Sequence, residues 1–94
     1  MIPTIEPSAV KKYLERRLTD FQMCLAAFET NDFKSIARVG HNMKGNGETF
    51  GFPELSTLGM QLETAALDQN GPATEAMIGK LGEWVETHLP EDFQ

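Results

Sequence analysis

His41, Lys44 and Gly45 stand close together in the chain and bring a nucleophile, a cation and free space to one place. On a helix, the surface neighbours of His41 at i−7, i−4, i−3, i+3, i+4 and i+7 are Lys34, Ala37, Arg38, Lys44, Gly45 and Glu48. Three of these are basic and two are small. The small side chains leave the imidazole uncovered, and the bases favour an anion beside it. A neutral imidazole nitrogen in such a setting can act as a nucleophile. Its target would be anionic and bulky, such as a phosphoryl group, with Lys44 one turn away to reach the oxygens. An ordinary surface histidine satisfies the same spacing.

The elements that carry these residues are helical. Val10, Leu14, Leu18, Phe21, Leu25 and Phe28 recur every three or four residues and predict the core face of a first helix. Phe33, Ile36, Gly40, Met43, Gly47 and Phe50 do the same for a second. Leu55, Leu58, Leu62 and Ala65 or Ala66 mark a third, and Met77, Leu81, Trp84, Val85 and His88 a fourth. Pro7 and Pro53 suit first turns. Asn31-Asp32 and Asn70-Gly71-Pro72 supply breaks and new starts, and Pro90 a stop. Helices are expected at about 7–30, 32–50, 53–69 and 72–89, within one domain spanning 1–94. Short turns between them predict an all-α, antiparallel up-down four-helix bundle, with room for a short extra helical turn at the N-terminus.

The second helix contains an anomaly. Four of the eight glycines fall at Gly40, Gly45, Gly47 and Gly51. Three of them lie inside the helical pattern, at roughly 0.8–1 kcal/mol each relative to Ala. Gly40 and Gly47 fall on the apolar stripe, where close helix packing would account for them. Gly45 lies off the stripe, beside His41.

Composition removes several classes of function. The chain has 94 residues, a formal net charge of −6 and a single cysteine. One cysteine excludes an internal disulfide and a multi-cysteine zinc site. There is no apolar run long enough to span a bilayer, and the N-terminus lacks a secretory signal pattern. An acidic chain is a poor candidate for nucleic-acid binding. No glycine-rich loop followed by Lys-Ser/Thr is present for nucleotide phosphates. The charge is uneven: residues 1–44 sum to +2 and residues 45–94 to −8. Solvated helix faces or a basic docking surface would each account for that asymmetry.

His41-Asn42-Met43-Lys44-Gly45-Asn46-Gly47, continuing through Gly51, resembles the H-x-x-K-G-x-(small)-x-x-x-G signature of histidine-containing phosphotransfer domains. Leu55, Leu58-Gly59 and Leu62-Glu63 are similar to the family's next helix. The resemblance implies a cytoplasmic, monomeric phosphorelay carrier. His41 would accept a phosphoryl group from a receiver-domain aspartyl phosphate and pass it to another receiver's aspartate. Lys44 matches the position that stabilises phosphoryl oxygens, Gly45 the one that keeps the approach open, and Glu63 one that hydrogen-bonds and orients the ring. Lys34, Ala37, Arg38 and Glu48 would face the partner, a response-regulator receiver domain or a hybrid sensor kinase. No cofactor or metal is expected on this chain; Mg²⁺ would sit in the partner's acidic pocket. Asn46-Gly47 departs from the small pair expected there. Two other readings are a docking module that carries no phosphate, and the histidine domain of a larger chemotaxis-type kinase.

Three further residues have plainer roles. Cys24 reads as a small buried hydrophobe, Trp84 as a core anchor, and His88 as a packing or helix-terminal residue. Gly79 and Gly82 have no account in the sequence pattern.

Overall fold

The computed structural model describes residues 6–89. These form four helices, α1 (Pro7–Glu29), α2 (Phe33–Asn46), α3 (Pro53–Leu67) and α4 (Gly71–His88), with no strand among them. Each helix packs on its sequence neighbours, and α1 closes the ring against α4. This is the expected four-helix bundle. The extra N-terminal turn and the Pro90 stop lie outside the described residues.

Local chemistry sets the helix ends. Pro7 and Pro53 stand in first turns. Asp32 caps α2, its carboxylate accepting from the Ser35 backbone N–H at 3.2 Å and hydroxyl at 2.6 Å. These bonds hold the Asp32 carboxyl below its usual range. Asn70 caps α4 by accepting from Ala73 N–H at 3.1 Å. The chain reverses before these caps at Asn31 and Gln69, both left-handed, with φ of 57° and 54°. Gly71, expected to form part of the break, is instead the first residue of α4.

The second helix is shorter than expected. It ends at Asn46 and not near residue 50. Gly47 keeps helical angles as its C-cap. The chain then turns back, with Phe52 N–H donating to the Gly47 carbonyl and Gly51 at φ 90°. Ser56 Oγ takes the Glu48 N–H at 2.8 Å, satisfying a donor that a longer helix would have bonded internally. The apolar rhythm continues through this turn because Phe50 and Phe52 still pack inward, against Tyr13.

Ile36, Met43, Leu55, Leu62 and Leu81 are fully buried at the centre, with Cys24 and Thr74. Burial raises the Cys24 thiol to about 12, so it behaves as a hydrophobe. Helices α2 and α3 bury the faces expected of them. Helix α1 does not: its innermost stripe is Tyr13, Arg17, Asp20, Cys24 and Ala27. Leu14, Leu18, Phe21 and Phe28 pack beside that stripe, and Leu25 is 46% exposed. The face is rotated by one residue. Arg17 and Asp20 can occupy it because they neutralise each other at 2.8 Å, whereas a lone charge there would not be tolerated.

Helix α4 buries Leu81 and Val85 as expected, and its centre lies to the side of Ile78 and not of Met77. Thr74, Ile78, Leu81 and Val85 are buried, while Met77, Trp84 and His88 are half-buried at its edge. His88 stacks on Trp84 at 4.0 Å and donates from Nδ1 to the Trp84 carbonyl. Trp84 in turn donates to Glu54, which lowers that carboxyl's pKa. Gly82 gains its account here: a Cβ would lie 2.6 Å from the Phe21 ring.

Candidate functional site

The site is built on the seam between α2 and α3, where the two backbones touch. A Cβ on Gly40 would lie 2.6 Å from the Glu63 backbone nitrogen and 2.7 Å from the Gly59 carbonyl oxygen. One on Gly59 would lie 2.5 Å from the Lys44 nitrogen, and one on Gly47 would strike Ser56. Side chains at these three positions would force the helices apart. Their absence lets Glu63, on α3, reach across to the residues flanking Gly40 on α2.

Glu63 spans the two key side chains. Its Oε2 is 2.9 Å from His41 Nδ1, and its Oε1 accepts from Lys44 Nζ at 2.8 Å. The Lys44 hydrogen bond, reinforced by that from His41, holds the Glu63 carboxyl below the usual glutamate range. An ionised carboxylate can only accept, so His41 carries its proton on Nδ1. In the neutral ring, Nε2 is then the nitrogen with a free lone pair. The His41 side chain is 65% exposed, against 17% for Glu63. The imidazole therefore faces solvent while the carboxylate bonded to it is sheltered.

The residues around His41 divide by exposure. Gly45 is exposed, and a Cβ there would meet nothing within 4 Å, so space is open on that side of His41. Lys34, Arg38 and Glu48 are exposed. Ala37 is not: it belongs to the core and cannot form part of a docking surface. On a helix one turn before an exposed histidine, a small residue can lie just inside the core boundary, and spacing alone does not fix which side it takes. Lys44, expected to await phosphoryl oxygens, is held by Glu63 in this state.

A second polar cluster lies on the opposite flank of α2, and spacing within α1 gave no sign of it. Asn46 Oδ1 accepts from Tyr13 OH at 2.7 Å and from Arg17 Nη1 at 3.1 Å. Arg17 also pairs with Asp20 and lies over the Tyr13 ring, 4.4 Å from its centroid. Burial pushes the Asp20 carboxyl and the Tyr13 hydroxyl up, against the opposing pull of Arg17. The one available signal was Asn46 itself, where a small residue was expected. It is the acceptor that makes a buried arginine tolerable.

Among the described residues, no group of three or more His, Cys, Asp or Glu side chains could hold a metal ion. No described helix is long and apolar enough to cross a membrane. Searches of curated proteins and of solved structures returned no match. A family model, that of the Hpt domain, matches residues 9–90, which takes in all of α2, α3 and α4 and nearly all of α1. The seam that presents His41 thus lies wholly within the matched region, and the chain belongs to the Hpt domain family.

Proposed function

We propose that this domain is a phosphorelay carrier in which His41 receives a phosphoryl group from a receiver-domain aspartyl phosphate and passes it to the aspartate of another receiver. The observation that carries the reading is the bond from His41 Nδ1 to Glu63, which leaves Nε2 basic and exposed on a helix whose next turn has no side chain at Gly45.

The Nε2 lone pair forms the P–N bond as the P–O bond to the donor aspartate breaks, and that electron pair leaves with the carboxylate. Developing positive charge on the ring is stabilised by Glu63 through the Nδ1 proton, which stays where it is. Phosphoryl transfer is chiefly positioning and neutralisation of the equatorial oxygens. Lys44 supplies the neutralising charge by moving from Glu63 to the incoming oxygens, a short swing between two anions. In the outward direction the steps reverse. Glu63 acts as a positioning residue; His41 and Lys44 meet the reacting group. Lys34 and Arg38 complement the acidic pocket of the receiver, which would contribute Mg²⁺.

The test is incubation with a labelled, phosphorylated receiver domain. Label on this chain should be acid-labile and base-stable, and absent from His41→Gln. Label persisting in that variant, or no label on the wild-type chain, overturns the assignment. The second outcome would favour a docking module that carries no phosphate.

A further inference from the structure

The flank of α2 opposite Glu63 carries an open groove of about 500 Å³ between α1 and α2. Tyr13 and Phe50, stacked at 4.3 Å, help line it, together with the buried Arg17–Asp20 pair. Exposed Lys12 and Arg16 on α1, and exposed Asn42 and half-buried Asn46 on α2, complete its walls. Its ionisable groups are Lys12, Arg16, Arg17, Asp20 and Tyr13, a net charge of +2 with Tyr13 neutral. The groove between α1 and α4, by contrast, is lined by Glu83 and Glu86.

The donor balance of this groove is lopsided. Asn46 Oδ1 accepts two hydrogen bonds, so the Nδ2 donors of the same amide point away from Tyr13 and Arg17. Arg17 Nε is buried without an acceptor. Asp20, the one carboxylate present, is already committed to Arg17, with a longer contact of 3.8 Å to Arg16. Cations and N–H donors therefore outnumber acceptors, and a carboxylate is the group that would satisfy them.

The groove lies beside the phosphorylation site. Asn42 follows His41 directly, and one residue step on a helix turns the surface by about 100°. A protein that reaches His41 Nε2 covers a patch on the order of 800 Å² on this domain. Such a patch extends over the groove as well as over Lys34 and Arg38. We infer that the α1–α2 groove receives an acidic side chain of the receiver domain, giving the docking surface a second basic half on α1. The inference rests on the relay reading for its partner and adds where that partner is held.

The experiment is a binding titration of the full chain, ¹⁵N-labelled, with an isolated unphosphorylated receiver domain of a response regulator. Binding should move the Asn42 and Asn46 side-chain amide resonances. Lys12→Glu with Arg16→Glu should weaken the Kd about tenfold, chiefly through slower association and a flatter salt dependence. The milder Lys12→Gln with Arg16→Gln should fall between, which guards against an effect of the reversed charges on folding. Lys80→Glu, on exposed α4, should bind as wild type. Unchanged affinity in the α1 variants, equal weakening by Lys80→Glu, or no binding at all overturns the groove. Because this titration involves no phosphoryl transfer, the two readings fail separately. A chain that binds through the groove yet never takes label on His41 defeats the relay, and one that takes label with the α1 variants binding normally defeats the groove.

Discussion

The two flanks of α2 hold the same kinds of group in opposite conditions. On the α3 side, Glu63 joins His41 and Lys44 at an open edge, and its carboxyl is held below the usual range by those partners. On the α1 side, Asp20 joins Arg17 behind Tyr13 and Asn46, and burial pushes its carboxyl up. Both are carboxylate–cation clusters, yet solvent separates their roles. The exposed cluster adds little to stability and leaves its cation free to change partners. The buried cluster cannot exchange partners without uncovering a charge, so it fixes the angle at which α1 meets the end of α2. One flank leaves its cation free to move and the other holds its charges still.

The sharpest way to break this contrast is Arg17→Ala. It strands Asp20 in the interior and removes a donor to Asn46, and it should cost about 3–5 kcal/mol in urea unfolding. The molecules that remain folded should still take label on His41 once the receiver concentration is raised to offset weaker docking through the groove, because the α3 flank is untouched. Equal loss of labelling per folded molecule would mean that the two clusters are coupled.

Gly40→Ala should cost about 1–3 kcal/mol, since its Cβ would strike the backbone of α3. It should also slow labelling by moving Glu63 away from the ring. Gly45→Ala makes the same chemical change in open space, and should stabilise by about 0.5 kcal/mol by relieving the helix of a glycine. Gly45→Val should stay folded and slow transfer strongly. An unfolded Gly45→Val would make that glycine structural.

The smallest effects are in pH. Glu63 has a folded pKa below its ordinary 4.5, so its contribution to stability is present above that value and fades as pH falls through the depressed one. Asp20 has a folded pKa above its ordinary 3.8, so it binds its proton more tightly when folded, and stability from this group rises on acidification between the raised value and 3.8. The slopes oppose. Denaturant unfolding between about pH 3 and 7 should show a steeper gain on acidification in Glu63→Gln and a shallower one in Asp20→Asn. Shifts of the same sign in both variants would remove the contrast.

Much of this could be read in the sequence because local periodicity carries it. The faces of α2 and α3 followed from Ile36, Met43, Leu55, Leu58 and Leu62, whose spacing leaves one way to bury them. The clustering of His41, Lys44 and Gly45 followed as well, since one helix presents all three together. The face of α1 did not follow, and that of α4 followed only at Leu81 and Val85, since the pattern of apolar residues allows two neighbouring rotations. On α1 the choice fell to Arg17 and Asp20, charges that become acceptable inside only when paired and supplied with Asn46 from another helix.

The sequence by itself determined the four helices and the pairing of an exposed histidine with the cation beside it, because these depend on neighbours no more than a turn or two away. Tertiary structure decided the rest. It buried Ala37, ended α2 at Asn46 and turned α1 onto its ion pair. Above all it brought Glu63 across the seam to His41 and Lys44. That approach depends on Gly40 and Gly59 lying opposite each other on separate helices, and a spacing rule within either helix cannot express a contact between two backbones.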